Sequence, residues 1–322
     1  MPALARAGNT FRRIALAILA SEDLLICCNS DSQAREVTAM LQAQCQLEQL
    51  PGRVNTATVP SNDTWARDFG PLSLATHAGF HLLDATFNAW GNKYDSALDN
   101  HINHRLDTGG YLGALAMHST ELVLEGGALE TDGAGTLLTT RHCLLNPNRN
   151  GPITADWMEH QLAELLGISR IHWLDHGLLE GDDTDGHIDT LARFCAPEHI
   201  VYQGCDNPQD SHYPALQAMA EQLACLTTRV GEPYELTELP WPEAIHDADG
   251  QRLPATYANF LILNDAVLVP VYDLPQDERA CAVLAECFPS RRIVPVACRT
   301  LLEQGGSLHC LTMQLPPGAT PQ

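Results

Sequence analysis

The sequence predicts an α/β protein in which short strands alternate with helices along one continuous chain. Strand-like and helix-like runs follow one another in the order strand, helix, strand, with hairpins, and this order recurs about every 50–60 residues. No stretch is rich enough in Pro, Gly or Ser to mark a domain boundary, so residues 1–322 are assigned to a single domain. The recurrence is compatible with a mixed α/β sheet and with a ring of similar ββαβ units.

Runs of apolar and β-branched residues bounded by turn residues predict the strands. In chain order these are residues 24–28, 79–86, 136–140, 171–174, 200–203, 260–263, 266–270 and 292–295. Apolar residues at helical spacing predict helices over residues 32–46, 153–166, 213–225 and 277–287. The pair Asn264-Asp265 between two strands predicts a tight hairpin turn.

The beginning of the chain predicts an amphipathic helix that leads into the first strand. Arg12 and Arg13 precede an apolar run over 14–20, as in a signal peptide, but the run is short and ends in polar residues without a cleavage site. No stretch is long enough to cross a membrane, so no membrane partner is expected.

Charge and cysteine content limit the classes of function. The net charge is −22, from 18 Lys and Arg against 40 Asp and Glu, so the chain lacks the basic clusters that nucleic-acid binding requires. Its field would favour cationic ligands, although acidity alone also serves solubility. The 11 cysteines form no Cys-x-x-Cys pair and suggest neither a disulfide framework nor a zinc pattern. Free thiols in this number predict a reducing, cytoplasmic location.

Residues 181–189, Gly-Asp-Asp-Thr-Asp-Gly-His-Ile-Asp, are the strongest candidate for a functional site. Four carboxylates and one imidazole crowd together, which costs stability unless something cationic joins them. His187 and Asp189 are two residues apart and would share one face of an extended strand. The alternative is an ordinary solvated turn, since Asp and Gly are common turn residues.

Polar residues also cluster at 62–71, at 125–127 together with 143–150, at 257–260 and at 305–310. Each cluster has a structural alternative: Trp65 is a normal core residue, Arg67 and Asp68 could pair across a turn, and a buried His309 or Cys310 is common. Together, however, a cysteine, a histidine and several carboxylates are what a thiol needs to attack a cationic carbon.

Two metal sites are disfavoured by spacing. A calcium loop that starts at Asp182 or Asp183 needs a glutamate at its twelfth position, where the chain has Arg193 or Phe194. His187 and Asp189 could ligate a metal, but no second histidine stands at the spacing of a zinc site. A metal hydrolase therefore remains a minor alternative.

These clusters resemble the agmatine deiminase and Porphyromonas-type peptidylarginine deiminase family of the guanidine-modifying superfamily. The matching motifs are Asn-Asp-x-Trp-x-Arg-Asp-x-Gly-Pro from Asn62, Glu-Gly-Gly from Glu125, Asp-Gly-His-x-Asp from Asp185 and Gly-Gly-x-x-His-Cys ending at Cys310. The segments 87–91, Phe-Asn-Ala-Trp-Gly, and 143–150 also match. The resemblance spans most of the chain.

The resemblance implies a five-bladed pseudo-symmetric α/β propeller of ββαβ units, a pentein, with the active site in a central channel. It implies hydrolytic deimination of a guanidinium group without a cofactor or metal. The implied partner is a cationic guanidinium small molecule, and self-association into a homo-oligomer stays open.

The roles of single residues follow from the same resemblance. Cys310 would be the nucleophile and His187 the general acid and base. Asp68 and Asp189 would hold the guanidinium, and Glu125 would support His187 and the substrate nitrogens. The substrate-binding residues implied are Trp65, Trp90, Asp183 and Asn259, of which Asn259 would steady the thiolate or the intermediate.

The chain departs from the family in three places. Asp183 stands where agmatine deiminases usually carry a glutamate that reaches the distal amine of the substrate. Asn92 and Gln304 replace glycines of two family motifs. The family's opening strand has no counterpart before Arg12, so either the start is truncated or one blade lacks a strand, which would expose a sheet edge near residues 24–28.

Three functions remain open at this stage. The first is an agmatine deiminase, which gives N-carbamoylputrescine and ammonia in polyamine synthesis. The second keeps the chemistry and acts on arginine, free or in a peptide. The third is an inactive homologue that binds cationic ligands.

Overall fold

The computed structural model describes residues 2–319. In this part of the chain the strands form five separate small sheets, and each sheet uses a consecutive stretch of sequence. Four sheets have three strands, in which the middle strand pairs antiparallel with the strand before it and parallel with the strand after it. A parallel connection needs a crossover, and a helical segment supplies it in each unit. The alternation of strands and helices predicted from the sequence is confirmed.

The first sheet has two strands within the described residues. Its unit consists of α1 (Pro2–Leu19), β1 (Leu24–Cys28), α2 (Asp31–Glu48) and β2 (Val54–Thr58). β1 and β2 are parallel, and Leu41 of α2 packs against Leu19 of α1 in a small apolar cluster. The strand that precedes the middle strand in the other sheets has no counterpart here in residues 2–319.

The second unit contains the first of the polar clusters. Its elements are α3 (Ala66–Phe69), β3 (Leu72–Thr76), β4 (Gly79–Thr86), α4 (Ala89–Asn92), α5 (Ile102–Thr108) and β5 (Ala116–Val123). The four residues of α4 do not form an ordinary helix, because Ala89, Trp90, Gly91 and Asn92 all have positive φ, between 50° and 89°. Such a left-handed turn is unfavourable for residues with a Cβ.

The third and fourth units repeat the same order of strands. The third contains β6 (Glu130–Thr131), β7 (Thr136–Thr140), α6 (Arg141–Leu144), α7 (Pro147–Asn150), α8 (Ala155–Leu166) and β8 (Arg170–Leu174). The fourth contains β9 (Ala192–Ala196), β10 (His199–Gln203), α9 (Tyr213–Ala224) and β11 (Glu235–Leu239). Middle strands β7 and β10 are largely buried, and Leu137, Leu138, Ile200 and Val201 contribute their apolar side chains to the core.

The fifth unit contributes most to the main core. It consists of β12 (Leu261–Ile262), β13 (Ala266–Val271), α10 (Asp277–Cys287) and β14 (Arg292–Ala297), followed by α11 (Arg299–Leu302). The apolar run of β13 is buried, and Leu284 of α10 packs into the same cluster as Phe260 and Trp65. The predicted hairpin at Asn264-Asp265 connects β12 to β13.

One local prediction is wrong. His187 and Asp189 do not lie on an extended strand, because residues Ile188–Thr190 form a 3₁₀ turn directly after His187. The turn is closed by backbone hydrogen bonds from Thr190 and Leu191, and it precedes β9. The two side chains still enter the same buried region, but the turn directs them to different partners.

None of the helices within residues 2–319 combines the length and the apolar character that a membrane-spanning helix requires.

Candidate active site

The thiol of Cys310 is buried and lies next to Asn259. The side-chain oxygen of Asn259 is 3.4 Å from Sγ, and it accepts hydrogen bonds from the backbone N–H groups of His309 (2.9 Å) and Cys310 (3.3 Å). Asn259 therefore fixes the backbone that presents the thiol. Burial, followed by the nearby carboxylates of Asp189 and Asp68, raises the pKa of Cys310. A bound cation would lower this pKa again, because it neutralises those carboxylates.

Asp189 is a buried carboxylate on the nucleophile's side of the site. Its Oδ2 lies 4.0 Å from Sγ of Cys310 and accepts a hydrogen bond from Nδ1 of His309 at 2.6 Å. Its Oδ1 has no hydrogen-bond partner among the described residues, although it is buried. Burial raises the pKa of Asp189 to about 7. An unsatisfied buried carboxylate oxygen is a suitable acceptor for a cationic ligand.

Asp68 is a second buried carboxylate, which α3 carries into the site. Its Oδ2 accepts a hydrogen bond from Nε1 of Trp90 (2.9 Å), and its Oδ1 accepts one from the backbone N–H of Gly127 (3.0 Å). Burial raises the pKa of Asp68. A Cβ at Gly127 would lie 2.5 Å from Nδ1 of His187 and 2.8 Å from Oδ1 of Asp68, so the close approach requires glycine.

His187 lies between the two carboxylates Glu125 and Asp68. Its Nε2 is 2.7 Å from Oε2 of Glu125, and its Nδ1 is 3.5 Å from Oδ1 of Asp68. Nδ1 is buried without a hydrogen-bond partner in the described part of the chain. Burial lowers the pKa of His187, but Asp68, Cys143 and Glu125 outweigh burial and hold this pKa well above 6.5. The imidazole is therefore a cation that can donate a proton.

Arg149 fixes Glu125 from behind. Its Nε and Nη2 donate to Oε1 and Oε2 of Glu125, both at 2.9 Å, and its Nη1 donates to Asp185 at 2.7 Å. Burial would raise the pKa of Glu125, but the hydrogen bonds from His187 and Arg149 hold it below its ordinary value. Both oxygens of Glu125 are thus engaged by protein groups, which favours its support of His187 over contact with substrate nitrogens.

His309 connects Asp189 to a buried arginine. Nδ1 of His309 donates to Asp189, and its Nε2 accepts from Nη2 of Arg193 at 3.2 Å. Arg193 in turn donates to Glu130 at 2.6 Å. Burial and the charges of Arg193 and Arg67 hold the pKa of His309 well below 6.5, so this imidazole is neutral.

The two tryptophans predicted to bind substrate are buried. Trp90 orients Asp68, as described above, and its ring also contacts Tyr94 edge-on at 5.9 Å between centroids. Trp65 packs against Gly306, where an added Cβ would lie 2.5 Å from the indole ring. These packing contacts place the Cys310 segment next to the segment that carries Asp68.

Asp183 lies at the rim of this buried group, with a side chain that is 50% exposed. The hydroxyl of Tyr94 donates to its Oδ2, and the ammonium group of Lys93 is 4.0 Å from its Oδ1. Lys93 is also 2.9 Å from Asp185. Asp185 therefore links Lys93 to the buried Arg149.

A metal ion would compete with existing contacts in this site. Donor atoms of Glu125, Cys143 and His187 lie within 4.8 Å of one another. However, Glu125 already bonds Arg149 and His187, and the Arg149 cation lies directly against it. Binding an ion there would require displacement of these groups, so the residues present do not fit a resident metal.

The structure brings most of the predicted residues together around one buried point. These are Cys310, His187, Asp68, Asp189, Glu125, Asn259 and Trp90. Asp183 lies at the rim of this group, and Trp65 packs against Gly306 in the segment that precedes Cys310. Arg149 and His309 were not given a role from the sequence. The suggested turn ion pair of Arg67 with Asp68 is absent from the described contacts, because Arg67 donates to Gln314 and to the carbonyl of His309.

A buried thiol, an imidazolium and two buried carboxylates without an Arg or Lys partner in the described chain, carried by repeated α/β units, define a guanidine-modifying enzyme of the deiminase type. The chain belongs to the Porphyromonas-type peptidyl-arginine deiminase family, whose family model matches residues 1–316. The resemblance noted in the sequence motifs is thereby confirmed.

Three relatives illustrate this membership. A Vibrio parahaemolyticus protein assigned as an agmatine deiminase is 36% identical, over 96% of this chain and 88% of its own. A Porphyromonas gingivalis structure assigned as an arginine deiminase is 46% identical with a TM-score of 0.92, over 97% and 90% of the two chains. A C. jejuni agmatine deiminase, solved as a cysteine-to-serine variant with substrate bound, is 35% identical with a TM-score of 0.86, over 96% and 87%.

Proposed function

We propose that this protein hydrolyses the guanidinium group of agmatine to N-carbamoylputrescine and ammonia through a covalent intermediate on Cys310. The observation that carries the proposal is the pair of buried carboxylates, Asp68 and Asp189, beside a buried thiol. Neither carboxylate forms a salt bridge with an Arg or Lys of the described chain, and Oδ1 of Asp189 has no hydrogen-bond partner there. A planar cation with several N–H donors would satisfy both carboxylates.

Substrate binding prepares the nucleophile in this scheme. In the free enzyme, burial and two carboxylates favour the neutral thiol of Cys310. A guanidinium held between Asp68 and Asp189 neutralises these charges and brings its own positive charge next to Sγ. Cys310 then releases its proton to solvent, and because the thiolate is the reactive form, the bound cation promotes attack on its own central carbon.

The reaction follows from the positions of Cys310 and His187. The thiolate forms a bond to the central carbon of the guanidinium and gives a tetrahedral adduct. His187 donates its proton to the leaving nitrogen, the C–N bond breaks, and ammonia departs from an S-alkylthiouronium. The now neutral His187 removes a proton from water, and the hydroxide adds to the same carbon. The C–S bond then breaks while the hydroxyl proton of this adduct passes to the departing sulfur, which releases the ureido product and restores the neutral thiol.

The rim residues favour an amine-terminated tail. Asp183 is anionic and half-exposed, and the charge of the nearest cation, Lys93, is shared with Asp185. The distal ammonium of agmatine is complementary to this surface, whereas the α-carboxylate of free arginine would face Asp183. Relatives assigned to agmatine support the same substrate. Because the P. gingivalis structure is assigned as an arginine deiminase, arginine, free or in a peptide, is the alternative substrate that must be tested beside agmatine.

We further propose that the five sheets are the blades of a pseudo-symmetric propeller around a central channel that holds the site. The support is the repeated strand order of the sheets and the convergence of side chains from four units on one point.

The cytoplasmic location, a role in putrescine synthesis, homo-oligomerisation and the absence of nucleic-acid and membrane partners stay predictions from sequence and composition.

A substrate panel with two cysteine variants tests the function. Ureido product and ammonia would be measured with agmatine, arginine and an arginine peptide, for the wild type, Cys310→Ala and the exposed-thiol control Cys225→Ala. We expect turnover of agmatine by the wild type and Cys225→Ala, and none by Cys310→Ala. Activity on arginine without activity on agmatine would contradict the assignment of agmatine as the substrate. Absence of activity on every substrate would favour an inactive cation-binding homologue.

A labelling experiment tests the choice of nucleophile. Cys143 is also buried near His187, with Sγ 3.8 Å from Oε2 of Glu125, and burial and that carboxylate raise its pKa. A haloacetamidine, which carries a guanidinium-like cation, should alkylate Cys310 and spare Cys143. Peptide mapping that finds the label on Cys143 would contradict the assignment.

A further inference from the structure

A second cluster of metal-binding side chains lies outside the site described above. Its members are Cys195 on β9, His199 at the start of β10 and Cys287 at the end of α10, and all three are partly exposed. One donor atom of each, two Sγ atoms and a ring nitrogen, lies within 4.8 Å of the other two. β9 and β10 belong to the fourth unit and α10 to the fifth, so the cluster spans two units.

The surroundings of His199 resemble those of a metal-binding histidine. Its Nε2 is 2.8 Å from the hydroxyl of Thr237, and its Nδ1 is 3.9 Å from Oε2 of Glu235. Both partners lie on β11, which pairs with β10 so that His199 is opposite Glu235. One nitrogen can therefore bind an ion while the other is oriented by a neighbour, as is usual for histidine ligands. Glu235 also provides an exposed carboxylate beside the cluster.

We propose that Cys195, His199 and Cys287 bind one thiophilic divalent cation, such as Zn²⁺, with Glu235 or water as the fourth ligand. Two thiolates and one imidazole are a common donor set for tetrahedral zinc. Zinc–ligand distances of about 2.0–2.3 Å place the donors of such a site roughly 3.5–3.8 Å apart, so the present separations require only side-chain adjustments.

The cation would act as a cross-link between neighbouring units. The ligands come from the strands of one unit and the helix of the next, so binding is expected to stabilise the folded state and to release the thiol protons. The cluster is separate from the deimination site, and its failure to bind a metal would leave the proposed function untouched.

A disulfide between Cys195 and Cys287 is the competing explanation of their proximity. Its formation would need an external oxidant, and it would give no role to His199. The metal proposal instead predicts that both thiols stay reduced and that His199 contributes to affinity.

Metal titration of the full-length protein tests the proposal. The chelator-treated, reduced protein would be titrated with Zn²⁺ by calorimetry and with Co²⁺ by absorption, for the wild type, Cys287→Ala, Cys195→Ala and His199→Gln. The matched control is Cys281→Ala, which removes another partly buried thiol of α10. Thiolate-to-cobalt charge-transfer bands report cysteine ligation directly.

We expect the wild type and Cys281→Ala to bind one equivalent more than either cluster cysteine variant, and His199→Gln to bind at least tenfold more weakly. At a free Zn²⁺ concentration of about 100 times Kd, the wild-type melting temperature should rise by about 4 °C, and that of Cys287→Ala should not. Equal stoichiometry in the wild type and Cys287→Ala would overturn the proposal. A second result would also overturn it: the two cysteines form a disulfide in air without metal, and the oxidised protein still binds the full amount of metal.

Discussion

His187 and His309 occupy comparable positions on the two sides of the candidate site but have opposite charges. Both imidazoles are buried, and each contacts a carboxylate at 2.6–2.7 Å, Glu125 for His187 and Asp189 for His309. The pKa of His187 lies well above 6.5, whereas that of His309 lies well below it. A carboxylate partner alone therefore does not decide the charge of a buried histidine.

The difference comes from the second neighbour of each ring. The other nitrogen of His187 faces Asp68 at 3.5 Å, so the imidazole lies between two carboxylates. The other nitrogen of His309 faces the guanidinium of Arg193 at 3.2 Å, which can only donate to it. A second proton is thus stabilised on His187, whereas the guanidinium of Arg193 excludes a proton from the second nitrogen of His309. The first ring is suited to donate protons, and the second to hold Asp189 in place.

Replacement of His187 should have the largest effect. His187→Gln removes the proton donor for ammonia and the base for water, so turnover of agmatine should fall by about 10²–10⁴-fold or more. Steady-state kinetics with a thermal melt as the folding control would measure the loss. Retention of more than a tenth of the activity in a folded variant would contradict the role of His187.

Replacement of His309 should have a smaller effect of a different kind. His309→Leu removes a neutral donor to Asp189 but no transferred proton, so we expect a loss on the order of tenfold, mainly in kcat/KM. The acidic limb of the kcat/KM profile should also move to higher pH, because a hydrogen bond that favours the ionised carboxylate is lost. A loss as large as that of His187→Gln would show that the two rings are not distinct in function.

The pH dependence of the wild type should reflect Asp189. Its pKa of about 7 in the free protein means that kcat/KM should fall by about tenfold per pH unit below pH 7, since a protonated Asp189 does not attract a cation. A bound guanidinium lowers that pKa, so the acidic limb of kcat should lie at lower pH. Profiles of both parameters with agmatine would test this, and coincident limbs would argue against Asp189 as a guanidinium ligand.

The smallest expected effect is on stability. The folded-state pKa of Asp189 is about 7, above its ordinary 3.8, so its contribution to stability is fully present below pH 3.8 and is lost as the pH rises through 7. Asp189→Asn, which keeps an oxygen acceptor for His309, should therefore melt a few degrees above the wild type at pH 8 and close to it at pH 4. A lower melting temperature of Asp189→Asn at pH 8 would contradict the cost assigned to this buried charge.

The fold was predictable where apolar periodicity is strong. Strands β1, β4 and β7 and helix α10 have the predicted bounds, and the other predicted elements differ by a few residues at their ends. The missed strands, among them β2 (Val54–Thr58) and β5 (Ala116–Val123), have mixed polar sequences because they are only partly buried. Their position follows from pairing with a buried middle strand, which no local pattern reveals.

The reacting residues of the candidate site were predictable from the sequence, but the buried arginines that hold them in position were not. Motif resemblance indicated Cys310, His187 and the carboxylates, whereas Arg149, in the matching segment 143–150, was given no role. A buried arginine needs carboxylate partners, and those partners, Glu125 and Asp185, are distant in sequence. The neutral state of His309 likewise depends on Arg193, which only tertiary packing brings to it. The single-domain assignment and the roles of individual residues stay predictions.

The left-handed turn at residues 89–92 has a consequence for stabilisation of the protein by engineering. Three of its residues carry a Cβ at positive φ, which costs on the order of 1 kcal/mol each relative to glycine. Ala89→Gly is therefore expected to relieve backbone strain, in contrast to the usual destabilisation by glycine. A glycine at position 89 would also make the turn more flexible and would allow the Trp90 indole to leave Asp68. A screen for heat resistance should therefore select glycine at position 89, whereas a screen for turnover should retain alanine.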